Sequence, residues 1–278
     1  MVCRVVAAGA LFFLAVWAGA VAVLWAAEPY LVFNTAMSRS YAAVPDPKIF
    51  ESRVFPNGDG ALLNTLLIRH ADQADRYWII FCLPAGASTQ VRDVQSQMKH
   101  LWNLGHNVFA FDYRGFGGNP GTPTEQGLYD DATAAYRYLS RTERVPPTRM
   151  LLAGRSLGSA VAVDLATRVP AAGLLLFAPI DSVPAVAGRV YPWAPASLLS
   201  TYQFDSLAKA SRIDLPVVMF HGWQDSYIRL ADAQILLEQF RGRKLMVKTA
   251  GGHHHAGFVD PAALYRALAK FWPSKAVG

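Results

Sequence analysis

The chain has few cysteines, no concentration of charge of one sign, and no residue set at metal-ligand spacing. Only two cysteines occur in 278 residues, Cys3 ahead of an apolar stretch and Cys82 inside another, so no disulfide framework holds the fold and the thiols leave the redox compartment open. The net charge is +6, but Lys and Arg are scattered without a basic run. Such a surface is solvated and mildly basic, and it offers no face for nucleic acid. Internal repeats and low-complexity tracts are also missing, which excludes solenoids and long disordered arms. Three adjacent histidines, His253, His254 and His255, stand behind two glycines with no cysteine or carboxylate cluster at ligand spacing beside them. The run can be a metal-binding module, a polar surface tract, or one base with two bystanders, and its neighbours alone do not decide.

What is abundant is apolar sequence: 53% of residues are hydrophobic, ample for one large core and hence for one main domain. The segment from Val5 to Ala27 carries no charge. As a helix it covers about 34 Å, enough for a hydrocarbon core of about 30 Å, with Trp17 and Trp25 as candidate interfacial aromatics. A cleaved signal is the competing reading, since Ala20-Val21-Ala22 resembles a cleavage site, but the apolar region is longer than the usual ~7–15 residues. Arg4 favours an inside N-terminus while Arg39 and Lys48 dilute that bias, so the side of the membrane on which the rest lies is left open. The expected organisation is a membrane anchor over residues 1–28, a linker over 29–49 that includes the Pro45 and Pro47 stretch, and a soluble domain over 50–278.

Within that domain, near-continuous hydrophobic runs alternate with helical patterns. Runs at Tyr77 to Leu83, Asn107 to Tyr113, Arg149 to Gly154, Ala172 to Pro179, Pro216 to Gly222 and Lys244 to Ala250 read as strands buried on both faces. Stretches such as LYDDATAAYRYLSR, LGSAVAVDLATR and LADAQILLEQF read as the helices between them. The fold class is therefore α/β, a mostly parallel sheet covered on both faces.

One motif stands out in that order: Gly154-Arg155-Ser156-Leu157-Gly158 follows a buried strand and opens a helix, where a sharp turn lifts a serine hydroxyl above the sheet. A serine needs a base and a group to orient that base. Asp225 falls just past the end of one later strand and the histidine run just past the next, at the sheet edge where ligands bind in open parallel sheets. Two other conspicuous groups have structural readings: Asp112 and Arg114 hold a loop, and His221 packs and bonds locally.

Several stretches together resemble the α/β-hydrolase superfamily, and within it a membrane-anchored serine-hydrolase branch with lysophospholipase-like, protein-depalmitoylating and serine aminopeptidase S33-like members. These are FDYRGFGGNPGTPTEQGLYDDATAAYRYL, AGRSLGSAVAVDLA, FDSLAKASRIDLPVVMFHGWQDSYI and the GGH ahead of the last helix. The resemblance spans nearly everything from Phe50 onward. It implies an α/β-hydrolase fold with a small cap near residues 180–210, Ser156 as nucleophile, Asp225 as acid and His253 as base. It also implies an oxyanion hole from the backbone N–H groups of Leu157 and Ala85, the latter in a Leu83-Pro84-Ala85 loop where the family commonly carries a His-Gly start. Asn119 stands where a serine is frequent. The implied activity is cleavage of a carboxylic ester or thioester, with a peptide bond possible, through an acyl-enzyme. The implied substrates are small acyl esters, lysophospholipids or acyl thioesters, and no cofactor is required. A hydrolase-like binding protein without catalysis is the alternative that the Pro84 loop raises.

Overall fold

A computed structural model describes residues 2–40, 43–72, 76–253 and 257–273. The chain opens with helix α1 (Val2–Phe33) and a short turn of helix, α2 (Met37–Ser40). Strands β1 (Glu51–Pro56), β2 (Leu62–Ile68) and β3 (Trp78–Cys82) follow, then α3 (Arg92–Asn103), β4 (Asn107–Phe111), α4 (Glu125–Arg141), β5 (Met150–Arg155), α5 (Leu157–Ala166) and β6 (Gly173–Phe177). Three short helices, α6 (Val183–Val190), α7 (Ala196–Leu199) and α8 (Ser206–Ala210), precede β7 (Val217–Gly222), α9 (Leu230–Gln239), β8 (Lys244–Thr249) and α10 (Pro261–Phe271).

The eight strands form one sheet in the order β1-β2-β4-β3-β5-β6-β7-β8. From β4 to β8 every neighbouring pair is parallel, and β2 is antiparallel to both β1 and β4. All six expected strands are present. Five of them, β3 to β7, are buried at every position, as continuous apolar runs covered on both faces require. The antiparallel β1–β2 hairpin was not expected. Only Phe55 is buried in β1, so this edge strand gives no hydrophobic run to read. After β3 the chain lays β4 on one side and returns to place β5 on the other. The carboxyl ends of β3 and β5 therefore border a topological switch point, where ligands bind in open α/β sheets.

The N-terminal helix differs from the expected anchor-and-linker division. It continues across Pro29 to Phe33, whose ring is buried and meets Tyr202 edge-on at 4.8 Å and Phe204 at 6.2 Å. The Glu28 carboxylate accepts from Ser200 Oγ–H at 2.5 Å and from the Thr201 N–H at 2.9 Å. In α2, the buried Ser38 hydroxyl accepts from the Gly117 N–H at 3.1 Å. Residues 29–40 are thus docked on the domain. Their partners lie more than seventy residues away in sequence, so no local pattern announces the docking. The apolar window of this helix has a mean hydropathy of 2.3, and its length and composition suffice to cross a membrane.

Candidate active site

Ser156 sits between the last residue of β5 and the first of α5 with φ 52° and ψ −122°, a left-handed backbone that costs a non-glycine residue about 1–3 kcal/mol unless its surroundings enforce it. They do. The Ser156 N–H donates to the Phe177 carbonyl at 2.9 Å, and the Ser156 carbonyl accepts from the N–H and hydroxyl of Ser159 at 2.9 and 2.5 Å. The two flanking glycines permit the close approach of strand and helix. A Cβ on Gly154 would lie 2.1 Å from the Gly158 carbonyl oxygen, and one on Gly158 would lie 2.1 Å from that of Cys82. Both neighbours are backbone and cannot swing aside. Gly158→Ala is therefore expected to destabilise the fold by at least about 2 kcal/mol, read as a melting temperature several degrees below that of the unsubstituted protein; an unchanged melting temperature would contradict this packing.

The loops after β7 and β8 converge on that hydroxyl. His253, beyond β8, brings Nε2 to 2.8 Å from Ser156 Oγ and Nδ1 to 2.8 Å from Asp225 Oδ2. Asp225, beyond β7, is buried, and its other oxygen accepts from the N–H groups of Tyr227 and Ile228 at 2.9 Å each. Burial alone pushes this carboxyl up. The hydrogen bonds from His253, Ile228 and Tyr227 and the attraction of the imidazole outweigh it and hold Asp225 below the ordinary aspartate value. The carboxylate thus remains ionised at neutral pH and fixes the Nδ1 side of His253.

The first of the two glycines before the histidines has a geometric reason. Gly251 has φ 93°, which favours glycine, and its backbone lies against Gly222, where an added Cβ would be 2.3 Å from the Gly251 oxygen. Gln224 joins the loops in both directions: its N–H donates to the Gly251 carbonyl at 3.2 Å, and its Oε1 accepts from the Gly251 N–H at 3.1 Å. His254 and His255 lie outside the described residues.

His221 acts on the acid loop from beneath. Wholly buried, it donates from Nε2 to the Ile228 carbonyl at 3.0 Å and stays 3.8 Å from Asp225 Oδ2. Burial pushes its pKa down, and the ring tethers Ile228, whose own N–H donates to Asp225. Asp112 and Arg114 hold loops away from the serine. Asp112 accepts from the Thr89 N–H at 2.6 Å and the Thr89 hydroxyl at 3.1 Å, and its burial raises the carboxyl to about 7 against those two bonds. Arg114 spans Asp131 at 2.7 Å and Asp59 at 2.8 Å. Asn119 accepts from the Asn64 N–H at 3.0 Å and donates to the Asp112 and Tyr113 carbonyls at 2.6 and 3.2 Å. A serine there would lack the reach for all three bonds, so the side chain ties β2 to the loop after β4.

Leu157 and Ala85 both border the cleft at Ser156. The Leu157 N–H is the first of α5 and has no carbonyl within its own helix. In the Leu83 to Ala87 loop, the Gly86 N–H donates to the Phe33 carbonyl of α1 at 2.9 Å and the Ala87 N–H to that of Pro84 at 3.2 Å. Pro84 has no N–H. Ala85 keeps its N–H without a protein partner among the described residues.

The fold that brings these three side chains together also occurs in proteins of known structure. An esterase of Pyrococcus furiosus aligns over 84% of this chain and 95% of its own with a TM-score of 0.67 at 18% identity. The esterase Est1E of Butyrivibrio proteoclasticus aligns over 79% and 96% with a TM-score of 0.64 at 16% identity. The chain has the α/β-hydrolase fold. Residues 79–204 match the family model for serine aminopeptidase, S33. Among curated α/β-hydrolase relatives, the human alpha/beta hydrolase domain-containing protein 17B is 35% identical over 136 residues, 48% of this chain and 45% of that protein. An uncharacterized protein of Mycobacterium tuberculosis is 37% identical over 178 residues, 64% of this chain and 63% of its own. The chain thus spans less than two thirds of the length of these curated relatives.

Two contributors to this α/β-hydrolase cleft gave no signal in the sequence. The Tyr227 ring stands edge-on to His253, with centroids 5.5 Å apart, and Leu31 of α1 reaches the cleft at Ser156. Tyr227 follows Asp225 by two residues, but nothing local marks it as a contact of His253. Leu31 belongs to a segment expected to be a linker.

Proposed function

We propose that the protein is a serine hydrolase that cleaves a carboxylic ester or thioester. The observation that carries this reading is the continuous hydrogen-bonded chain from Ser156 Oγ through His253 to Asp225. In the first step Ser156 Oγ attacks the acyl carbonyl while its proton passes to His253 Nε2, giving a tetrahedral intermediate whose oxyanion the Leu157 and Ala85 N–H groups stabilise. Collapse breaks the bond to the leaving oxygen or sulfur, which takes the proton from His253, and an acyl-serine remains. Water then attacks, delivers a proton to His253 and releases the carboxylic acid as Oγ recovers that proton. Asp225 holds the imidazole tautomer and faces the positive charge that forms on it. The unspent Ala85 N–H favours a working oxyanion hole over a binding protein without catalysis, despite Pro84. A fluorophosphonate probe tests the reading: covalent labelling of Ser156 in folded protein is expected, and its absence would favour the binding protein.

The protein is further proposed to act at a membrane, held there by α1. Full-length protein is expected to fractionate with membranes and to stay in the pellet on alkaline carbonate extraction, because the exposed side chains of Leu11, Phe12, Phe13 and Leu14 present an apolar surface that water does not tolerate. Release into the carbonate supernatant would sink the anchor.

A further inference from the structure

One face of α1 turns toward the cap. Val21, Leu24, Trp25, Glu28 and Leu31 recur at helical spacing and line a seam opposite residues of α6 and α7. At its inner end this seam meets the cleft at Ser156: Leu31, Val32, Val183 and Ala187 line both. At its outer end, Val21, Leu24 and Trp25 face Ala194, Ala196 and Leu199. From Leu31 to Val21 the helix advances about 15 Å, a length suited to a long acyl chain. The oxygens of Glu28 are turned to the cap, where Ser200 and Thr201 donate to its carboxylate.

The same helix sets the depth of the cap. Trp17 Nε1 donates to the Trp193 carbonyl at 3.0 Å, and only twelve uncharged residues, Val5 to Val16, separate it from the charge of Arg4. That is about 18 Å of helix against a hydrocarbon core of about 30 Å. If this uncharged run crosses the bilayer, the cap around Trp193 must dip into it. Its surface there suits that depth: Trp193 is 50% exposed and Leu198 85%.

We propose that α1 is a wall of the acyl site as well as an anchor, and that the acyl chain of a bilayer lipid enters sideways through the seam between α1 and the cap, with its ester carbonyl at Ser156. This rests on the hydrolase reading and gives it a substrate class: long-chain acyl esters already resident in the leaflet. A lipid beside α1 meets the seam with no further partner.

The test compares kcat/KM for palmitate and butyrate esters, using full-length protein in vesicles. Ala187→Trp narrows the seam from the cap side and Leu24→Trp from the helix side. Each is expected to lower the palmitate-to-butyrate ratio at least tenfold, while Leu11→Trp, on the part of α1 beyond the cap, keeps the wild-type ratio. Labelling of Ser156 by a small fluorophosphonate reports folding in every variant, and Ala187→Leu provides the same readout if the larger residue prevents it. Wild-type ratios in labelled seam variants would overturn the inference while leaving the hydrolase reading intact. A wild-type protein that neither labels nor hydrolyses any ester would overturn both. Hydrolysis of an S-palmitoyl peptide but not of palmitoyl lysophospholipid in the same vesicles would overturn the lipid as source.

Discussion

Ser156→Ala is expected to lower ester turnover by about 10⁴-fold or more while the protein stays folded. The loss is large for a chemical reason: the hydroxyl is the attacking group at the end of the hydrogen-bonded chain, and without it His253 has no proton to accept. The fold should stay intact for a structural reason. The φ of 52° is enforced by backbone bonds to Phe177 and Ser159, and alanine has the same Cβ, so the strain at the elbow is unchanged. The lost side-chain bond is to a loop that Gln224 and Gly251 already fasten. Circular dichroism and a melting temperature within about 3 °C of wild type should accompany the loss. Activity near wild type in the folded variant would make another residue the nucleophile.

How much of this was legible in the sequence depends on how local each cause is. The strands β3 to β7 were visible because burial on both faces demands unbroken apolar runs, and the elbow was visible because Gly154 and Gly158 must flank a turn with no room for a side chain. Asp225 followed from its place after one of those runs and the histidines from theirs. The β1–β2 hairpin was not visible, since an edge strand with one buried residue carries no pattern. The docking of residues 29–40 was hidden for another reason: Phe33, Ser38 and Glu28 find their partners far along the chain, and the prolines and polar residues that follow read locally as a linker. The same blindness concealed Leu31 in the cleft, as well as the Phe33 carbonyl that takes up the Gly86 N–H. Helix α1 therefore bears on the Leu83 to Ala87 loop and on the cleft at Ser156 together, which only the three-dimensional arrangement reveals.

His253→Ala is expected to cost about as much turnover as Ser156→Ala, and the double variant little more, because members of such a chain act as a unit and their losses do not add. Asp225→Asn should follow at about 10³–10⁴-fold. Its Oδ1 can still accept from Tyr227 and Ile228, so the loop keeps its shape, but an amide hydrogen directed at Nδ1 would select the imidazole tautomer that cannot accept the serine proton. His254→Ala and His255→Ala are expected to retain most activity, because one ring already bridges serine and aspartate with both of its nitrogens and the chain needs no second imidazole. Ester hydrolysis by the three histidine variants, each checked by circular dichroism, separates the possibilities. An inactive, folded His254 or His255 variant beside an active His253 variant would move the base along the run, while similar partial losses in all three would point to a shared structural or metal-binding role in place of a single base.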